Sequence, residues 1–237
     1  MVYCPIAKVG TSTWLKHFVL LAPNDTTLQG LDDPAELHKV VPPFFKFSQA
    51  DFHELDSYSD DSRLAMQRFL ARRTPALTFS FVRHPFDRLV SAYTDKVLGH
   101  ASGANLSSLA GKSFPEFIDH VLQDARRCGS NPACHVNNHW RPQYMECLHC
   151  DFDYDVVGKV ETFADDVKYI VIKQNLTHLI PVNVTTLKTH ASKDIAQKHR
   201  TMNYFCQLTK GQIRSLCDFY KLDFELFDYV DDGYVTC

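Results

Sequence analysis

The stretch Val2-Tyr3-Cys4-Pro5-Ile6-Ala7-Lys8-Val9-Gly10-Thr11-Ser12-Thr13-Trp14 decides the fold. Residues 2–6 read as a short buried strand, and residues 12–21 as a helix with Trp14, Phe18 and Leu21 on one face. At such a corner the backbone N–H groups of the helix N-terminus point outward, and the helix dipole favours an anion there. Gly10 lets the chain approach a phosphate closely, Ser12 and Thr13 add hydroxyl donors, and Lys8 adds positive charge. The alternative is an ordinary strand–turn–helix corner with a surface lysine.

Working outward, residues 24–58 are irregular and broken by Pro34, Pro42 and Pro43. Asp60 or Asp61 caps a helix to about Arg73. Residues 77–82 read as a second core strand, and Pro85-Phe86 opens a helix reaching about Leu98. Residues 99–113 form a Gly/Ser/Asn-rich loop, 115–125 a helix, and 127–153 an irregular segment rich in Cys, His and Asn. A third strand is expected over 154–160 and a helix over 162–174, and Thr209 with Gln212 signals a capping box for a helix to about Tyr220. Strands alternating with helices predict an α/β fold, a P-loop-like three-layer sandwich with a central parallel sheet flanked by helices. The 237 residues contain no repeat or linker and read as a single domain, 1–237.

The composition is that of an ordinary globular protein, with 45% hydrophobic and 22% charged residues, and the net charge of −3 argues against a nucleic-acid partner. No apolar run is long enough to cross a membrane, and the N-terminus lacks a signal-peptide layout. Met1 leads almost directly into a core strand, so either the fold starts abruptly or the chain lacks an N-terminal segment. Asn24, Asn105, Asn175 and Asn183 are glycosylation acceptors, and the eight cysteines are even in number, which together point to an oxidising, secretory compartment. Cys128/Cys134 and Cys147/Cys150 are local disulfide candidates, and Cys206/Cys217 and Cys4/Cys237 further ones. The alternative for Cys147-Leu148-His149-Cys150 is half of a zinc site with His149 or His139, although no second CxxC is present.

A second candidate site is Arg83-His84-Pro85-Phe86-Asp87-Arg88-Leu89-Val90-Ser91. Arg83 ends a strand, where ligands of open α/β sheets collect, and offers a planar fork to a phosphate. Ser91 adds a hydroxyl from the following helix. Arg83 and Arg88 can instead pair with Asp87 and Asp95, and for Arg88 that structural reading is the better one.

Both segments resemble the signatures of Golgi carbohydrate sulfotransferases, in the branch with chondroitin and dermatan 4-O-sulfotransferases and the HNK-1 sulfotransferase. Two more stretches are similar. Asn138-His139-Trp140-Arg141-Pro142, Cys147-x-x-Cys150 and Tyr154-Asp155-x-x-Gly158-Lys159-x-Glu161-Thr162 resemble the family's HWxP…CxxC…YDxxGxxE, and Tyr220-x-x-Asp223-Phe224-x-x-Phe227-x-Tyr229 its ending. Asp228 stands where that ending usually has glycine, Thr11 and Thr13 replace residues often Cys and Asn, and Leu15 replaces a common lysine.

The resemblance implies PAPS (3′-phosphoadenosine-5′-phosphosulfate) as donor, a glycan as acceptor, no metal, and a type II membrane protein of the Golgi lumen whose anchor and stem are absent here. It implies that Lys8, Val9, Gly10, Thr11, Ser12, Thr13 and Trp14 hold the 5′-phosphosulfate, and Arg83 and Ser91 the 3′-phosphate. Lys8 is the expected stabiliser of the leaving phosphate and His139 the candidate general base, ahead of His84, His135 and Glu161. Trp140, Tyr144, Arg141, Lys96 and Lys159 are candidates to line a sugar groove. Two rivals remain at this point. A P-loop kinase would need its lysine after the glycines. A catalytically inactive, secreted glycan-binding protein of the same fold would predict loss of Lys8, Arg83 or Ser91, and all three are present.

Overall fold

A computed structural model of the chain describes residues 1–21, 77–99, 107–128, 136–180, 191–231 and 234. The irregular run 24–58, the helix expected from residue 60 or 61 to 73, and His135 lie outside them. In chain order the elements are β1 (Val2–Cys4), α1 (Thr11–Leu20), β2 (Thr78–Val82), α2 (Pro85–Tyr93), α3 (Phe114–Cys128), α4 (Gln143–Glu146), β3 (Val156–Lys159), α5 (Phe163–Lys173), α6 (Ala191–Phe205), α7 (Lys210–Phe219) and α8 (Lys221–Leu226). The described residues fall into two compact units, one from 1–82 and 147–190, the other from 83–146 and 191–237.

The first unit holds a parallel sheet in the order β1-β2-β3, with Tyr3 opposite Phe79 and Phe81 opposite Gly158. This is the parallel α/β arrangement that the alternation of strands and helices predicts. β1 stops before Pro5, which has no N–H to continue the ladder. Phe79 and Phe81 share one face of β2 by the two-residue period of a strand. Their rings meet Trp14 of α1 at 4.5 and 5.6 Å, and Phe81 also meets Phe163 of α5 at 4.9 Å. All four aromatic side chains are buried, and each contributes about 1.5–3 kcal/mol of burial. A methyl on Gly158 would sit 2.6 Å from the Phe81 ring, so only glycine lets β3 close on β2. Asp155 sets the register by accepting from both the N–H and the hydroxyl of Thr78, at 2.7 and 2.9 Å.

In the second unit, α2 starts with Pro85 at its first position, and His84 caps it by accepting the Phe86 N–H on Nδ1. Phe86, Leu89, Val90 and Tyr93 follow the helical period into a core shared with Phe117 and Leu216. A π-helical turn, Thr94–Leu98, continues the helix to the residue where the sequence predicts it to end. The capping box is present: the Thr209 hydroxyl accepts the Gln212 N–H and the Gln212 carboxamide accepts the Thr209 N–H. α4, α6 and α8 have no counterpart among the expected elements; α4 is a single turn inside the stretch 127–153 read as irregular. The α6 sequence is mostly polar, with too few apolar residues to reveal its period, and α8 follows α7 after only Tyr220. Asp228, just past α8, has φ 51°, the left-handed conformation that glycine adopts without cost. No helix among the described residues is long and apolar enough to cross a membrane.

Candidate functional site

The loop from β1 to α1 is a tight corner built by its own side chains. Thr11 is buried, and its hydroxyl donates to the Ile6 carbonyl at 2.6 Å and accepts from the Tyr3 hydroxyl at 3.0 Å. Between these anchors, Lys8 and Gly10 both have left-handed backbones, at φ 73° and 85°. For lysine that conformation is unfavourable by about 1–2 kcal/mol, which marks the turn as a strained one. Gly10 is required twice over, since an added Cβ would also lie 2.7 Å from the Phe163 ring. Gly10 caps α1, its carbonyl accepting from the N–H groups of Thr13 and Trp14. The Thr11 and Ser12 N–H groups precede the first carbonyl their own helix can offer. No carboxylate stands in the first turn of α1 to neutralise that end.

The seven residues of this segment therefore divide. Lys8, Gly10, Ser12 and Thr13 are partly exposed, whereas Val9, Thr11 and Trp14 are buried. Trp14 lies wholly in the aromatic core, and the Thr11 hydroxyl proton is committed to Ile6. These buried residues shape the loop, and their side chains are not placed to touch a ligand.

Arg83 directly follows β2 and is half-buried. Both of its main-chain groups are held by the Gln143 side chain: the Arg83 N–H donates to Oε1 and the Arg83 carbonyl accepts from Nε2, each at 2.8 Å. Gln143 is fully buried and is oriented in turn by Asp223, which accepts the main-chain N–H groups of Gln143 and Tyr144 at 2.8 and 2.9 Å. Ser91, on α2, is half-buried.

The loop 137–142 carries His139. Arg88, expected to pair with Asp87 or Asp95, is instead fully buried and donates to the carbonyls of Asn138 and Arg141, at 2.7 and 2.6 Å. A guanidinium can serve two carbonyls at once because its donors diverge in one plane. Asp95 meets Lys96 at 3.1 Å, and Asp87 accepts from Tyr234 at 3.5 Å. The Tyr220 hydroxyl donates to the Trp140 carbonyl, tying the C-terminal helices to the same loop. Glu146 and Asp223 complete a buried ionic group around Arg88. Burial pushes Glu146 up to about 7, against the pull of Arg88 and Arg141, and pushes Asp223 up to about 6, against its hydrogen bonds from Gln143 and Tyr144.

Asn137 sets the tautomer of His139. Its Oδ1 accepts both the His139 N–H at 3.0 Å and Nδ1 of the ring at 2.8 Å. An amide oxygen only accepts, so Nδ1 carries the proton and Nε2 is the basic nitrogen of the neutral ring. His84 has the opposite tautomer: Nδ1 accepts at the helix cap and Nε2–H donates to the Val230 carbonyl at 2.9 Å. His84 is thus a capping residue. Glu161 is exposed in a 3-10 turn, Val160–Thr162. Of the sugar-groove candidates, Trp140 and Arg141 are buried and line no surface, whereas Tyr144, Lys96 and Lys159 are half-buried.

The pattern described as the sulfotransferase family matches residues 1–230. The chain belongs to the sulfotransferase family. This family member is 29% identical over 251 residues to carbohydrate sulfotransferase 8 of Mus musculus, covering 97% of the chain and 54% of the relative. It is 25% identical over 257 residues to carbohydrate sulfotransferase 10 of Xenopus laevis, and 26% identical over 257 residues to carbohydrate sulfotransferase 11 of Danio rerio, covering 99% of the chain and 66% of the relative in both. The chain thus spans about half to two thirds of the length of these curated relatives. No solved structure matches it.

The cysteine pairing of this sulfotransferase-family chain differs from the local one. Cys147 is bonded to Cys4, 143 residues away, and to neither Cys150 nor a metal. A disulfide sulfur is not a thiolate, so the CxxC does not hold zinc, and no metal-binding group of three or more His, Cys, Asp or Glu side chains occurs among the described residues. Cys150 and Cys217 are thiols, and Cys128 and Cys206 are disulfide-bonded, so the pairs Cys4/Cys237 and Cys206/Cys217 do not form. The Cys128/Cys134 pair falls partly outside the described residues. Gln143 was not among the sequence candidates, although it directly follows the His139-to-Pro142 stretch, and Asp223 stood in the C-terminal motif without an assigned role.

Proposed function

We propose that this chain is the catalytic part of a carbohydrate O-sulfotransferase that moves a sulfuryl group from PAPS to a glycan hydroxyl. The observation that carries the reading is the strained Lys8–Gly10 turn at the N-terminus of α1, free of acidic residues in its first turn, in a chain matched to the family over residues 1–230. Its donor set suits a phosphosulfate: N–H groups of Thr11 and Ser12, hydroxyls of Ser12 and Thr13, and the Lys8 ammonium. Val9 and Trp14 support the turn from the core side. Arg83 and Ser91 bind the 3′-phosphate.

The donor supplies an already activated sulfuryl group, so the reading includes no metal. His139 takes the proton of the acceptor hydroxyl on Nε2 as that oxygen bonds to sulfur and the bond from sulfur to the phosphate oxygen breaks. Asn137 holds the ring in the tautomer that permits this and steadies the charge that forms. Lys8 meets the negative charge arriving on the departing phosphate oxygen. Relatives named as carbohydrate sulfotransferases support a glycan acceptor. We further take that acceptor to be GalNAc O-4 of chondroitin or dermatan or a related N- or O-glycan, and the site of action to be the Golgi lumen, with the chain as part of a type II membrane protein.

The test is calorimetric titration of the chain with PAP, the desulfated product, beside Arg83→Ala. Micromolar binding, about −8 kcal/mol, that is lost in the variant supports the reading. A folded wild-type chain that binds no PAP overturns it and leaves a glycan-binding protein of the same fold.

A further inference from the structure

Gln143 lies 60 residues from Arg83 in sequence, is fully buried, and gives its whole carboxamide to the Arg83 main chain. A primary amide both donates and accepts in one plane, so it pairs with a peptide as a neighbouring strand would. Here it does so at the first residue after β2. With its N–H and carbonyl both held, Arg83 has its Cα fixed, and the guanidinium swings only about its own side-chain torsions. A forked contact to a phosphate tolerates displacements of only about 0.5 Å, so a main chain held from both sides matters more here than for a point charge.

Gln143 is itself held. Asp223, also fully buried, accepts the Gln143 N–H at 2.8 Å, the Tyr144 N–H at 2.9 Å and the Gln143 carboxamide at 3.4 Å. A chain of hydrogen bonds therefore runs from α8 through the first turn of α4 to the main chain of Arg83, and every donor in it is matched by an acceptor. Gln143 spends both ends of its side chain on the protein, so it acts through Arg83.

We infer that Gln143 is the positioning residue for Arg83, and that Asp223 sets Gln143 for that task, so that the pair determines affinity for the 3′-phosphate of the nucleotide; this rests on the assignment of Arg83 to that phosphate. The experiment titrates PAP and adenosine 5′-phosphosulfate, which lacks the 3′-phosphate, into the wild-type chain, Arg83→Ala, Gln143→Met and the double variant. Gln143→Met is expected to weaken PAP about tenfold while adenosine 5′-phosphosulfate changes by less than about twofold. The double variant should bind PAP no more weakly than Arg83→Ala by more than about twofold, because the two residues act as one unit.

Equal weakening of both nucleotides by Gln143→Met, or a double variant that falls by the product of the single losses, overturns the inference. If Arg83→Ala itself weakens both nucleotides equally, the assignment of Arg83 fails. If Arg83→Ala is selective and Gln143→Met is not, only the positioning role fails. Should Gln143→Met not fold, Asp223→Asn serves as the second variant, since it keeps the shape and one acceptor. The same PAP-selective loss, at smaller size, supports the role, and a loss shared by both nucleotides overturns it.

Discussion

Substituting Gly10 by alanine should separate two costs at one atom. The first is conformational: φ at Gly10 is 85°, and an L-residue with a Cβ is disfavoured there by about 1–2 kcal/mol. The second is packing: the new methyl would lie 2.7 Å from Cε2 of Phe163 and 3.2 and 3.3 Å from two more ring atoms. Phe163 is buried against Phe81, so the ring yields little, and overpacking of this kind costs about 1–3 kcal/mol. The sum, about 2–5 kcal/mol, is measurable by urea unfolding of Gly10→Ala against wild type. Repeating it in a Phe163→Leu background removes most of the overlap, so the alanine should then cost only about the 1–2 kcal/mol of the backbone share. A Gly10→Ala chain with a wild-type urea midpoint, or a cost unchanged in the Phe163→Leu background, would refute the argument.

Replacing Cys4 by serine should lower stability by about 2–5 kcal/mol in guanidinium unfolding, because the Cys4–Cys147 bond spans 143 residues of chain. Glu146 binds its extra proton in the folded state between the unfolded value of 4.5 and about 7, so its contribution is full below pH 4.5 and lost as pH rises to 7. Its neighbours Arg88, Arg141 and Asp223 do not reverse that sign. Glu146→Gln should flatten the fall in unfolding free energy over that window and exceed wild type at pH 8 by about 1–3 kcal/mol. His139→Ala should lower kcat by about 10²–10⁴ while the calorimetric affinity for PAP is unchanged. Asp228→Gly should raise stability by up to about 1 kcal/mol, since φ 51° suits glycine better, and a lower melting temperature would contradict the backbone reading.

Much of the first unit was legible because its signals are local. Strand, glycine and helix follow one another within about twenty residues, so the Lys8–Gly10 turn and the α1 N-terminus could be read directly. The same holds for Pro85 opening α2 and for the Thr209–Gln212 box, whose partners lie within a turn of each other. Such features depend on torsions and hydrogen bonds among neighbours, which residue types alone determine.

Tertiary structure decided the rest. Cys147 had a partner three residues beyond it in the CxxC and bonds instead to Cys4, because the turn that carries it packs on the sheet, where His149 meets Ser80, the register partner of Cys4, at 2.7 Å. Arg88 had carboxylates on its own helix and serves carbonyls 50 and 53 residues away, because α2 turns that face inward. Gln143 reaches Arg83, and Asp223 reaches Gln143, over separations of 60 and 80 residues. Spacing in the chain carries no information about contacts at that range. They exist only once apolar burial has closed the intervening loops and left buried polar groups no water to bind, so that each is satisfied by whatever the fold has placed beside it.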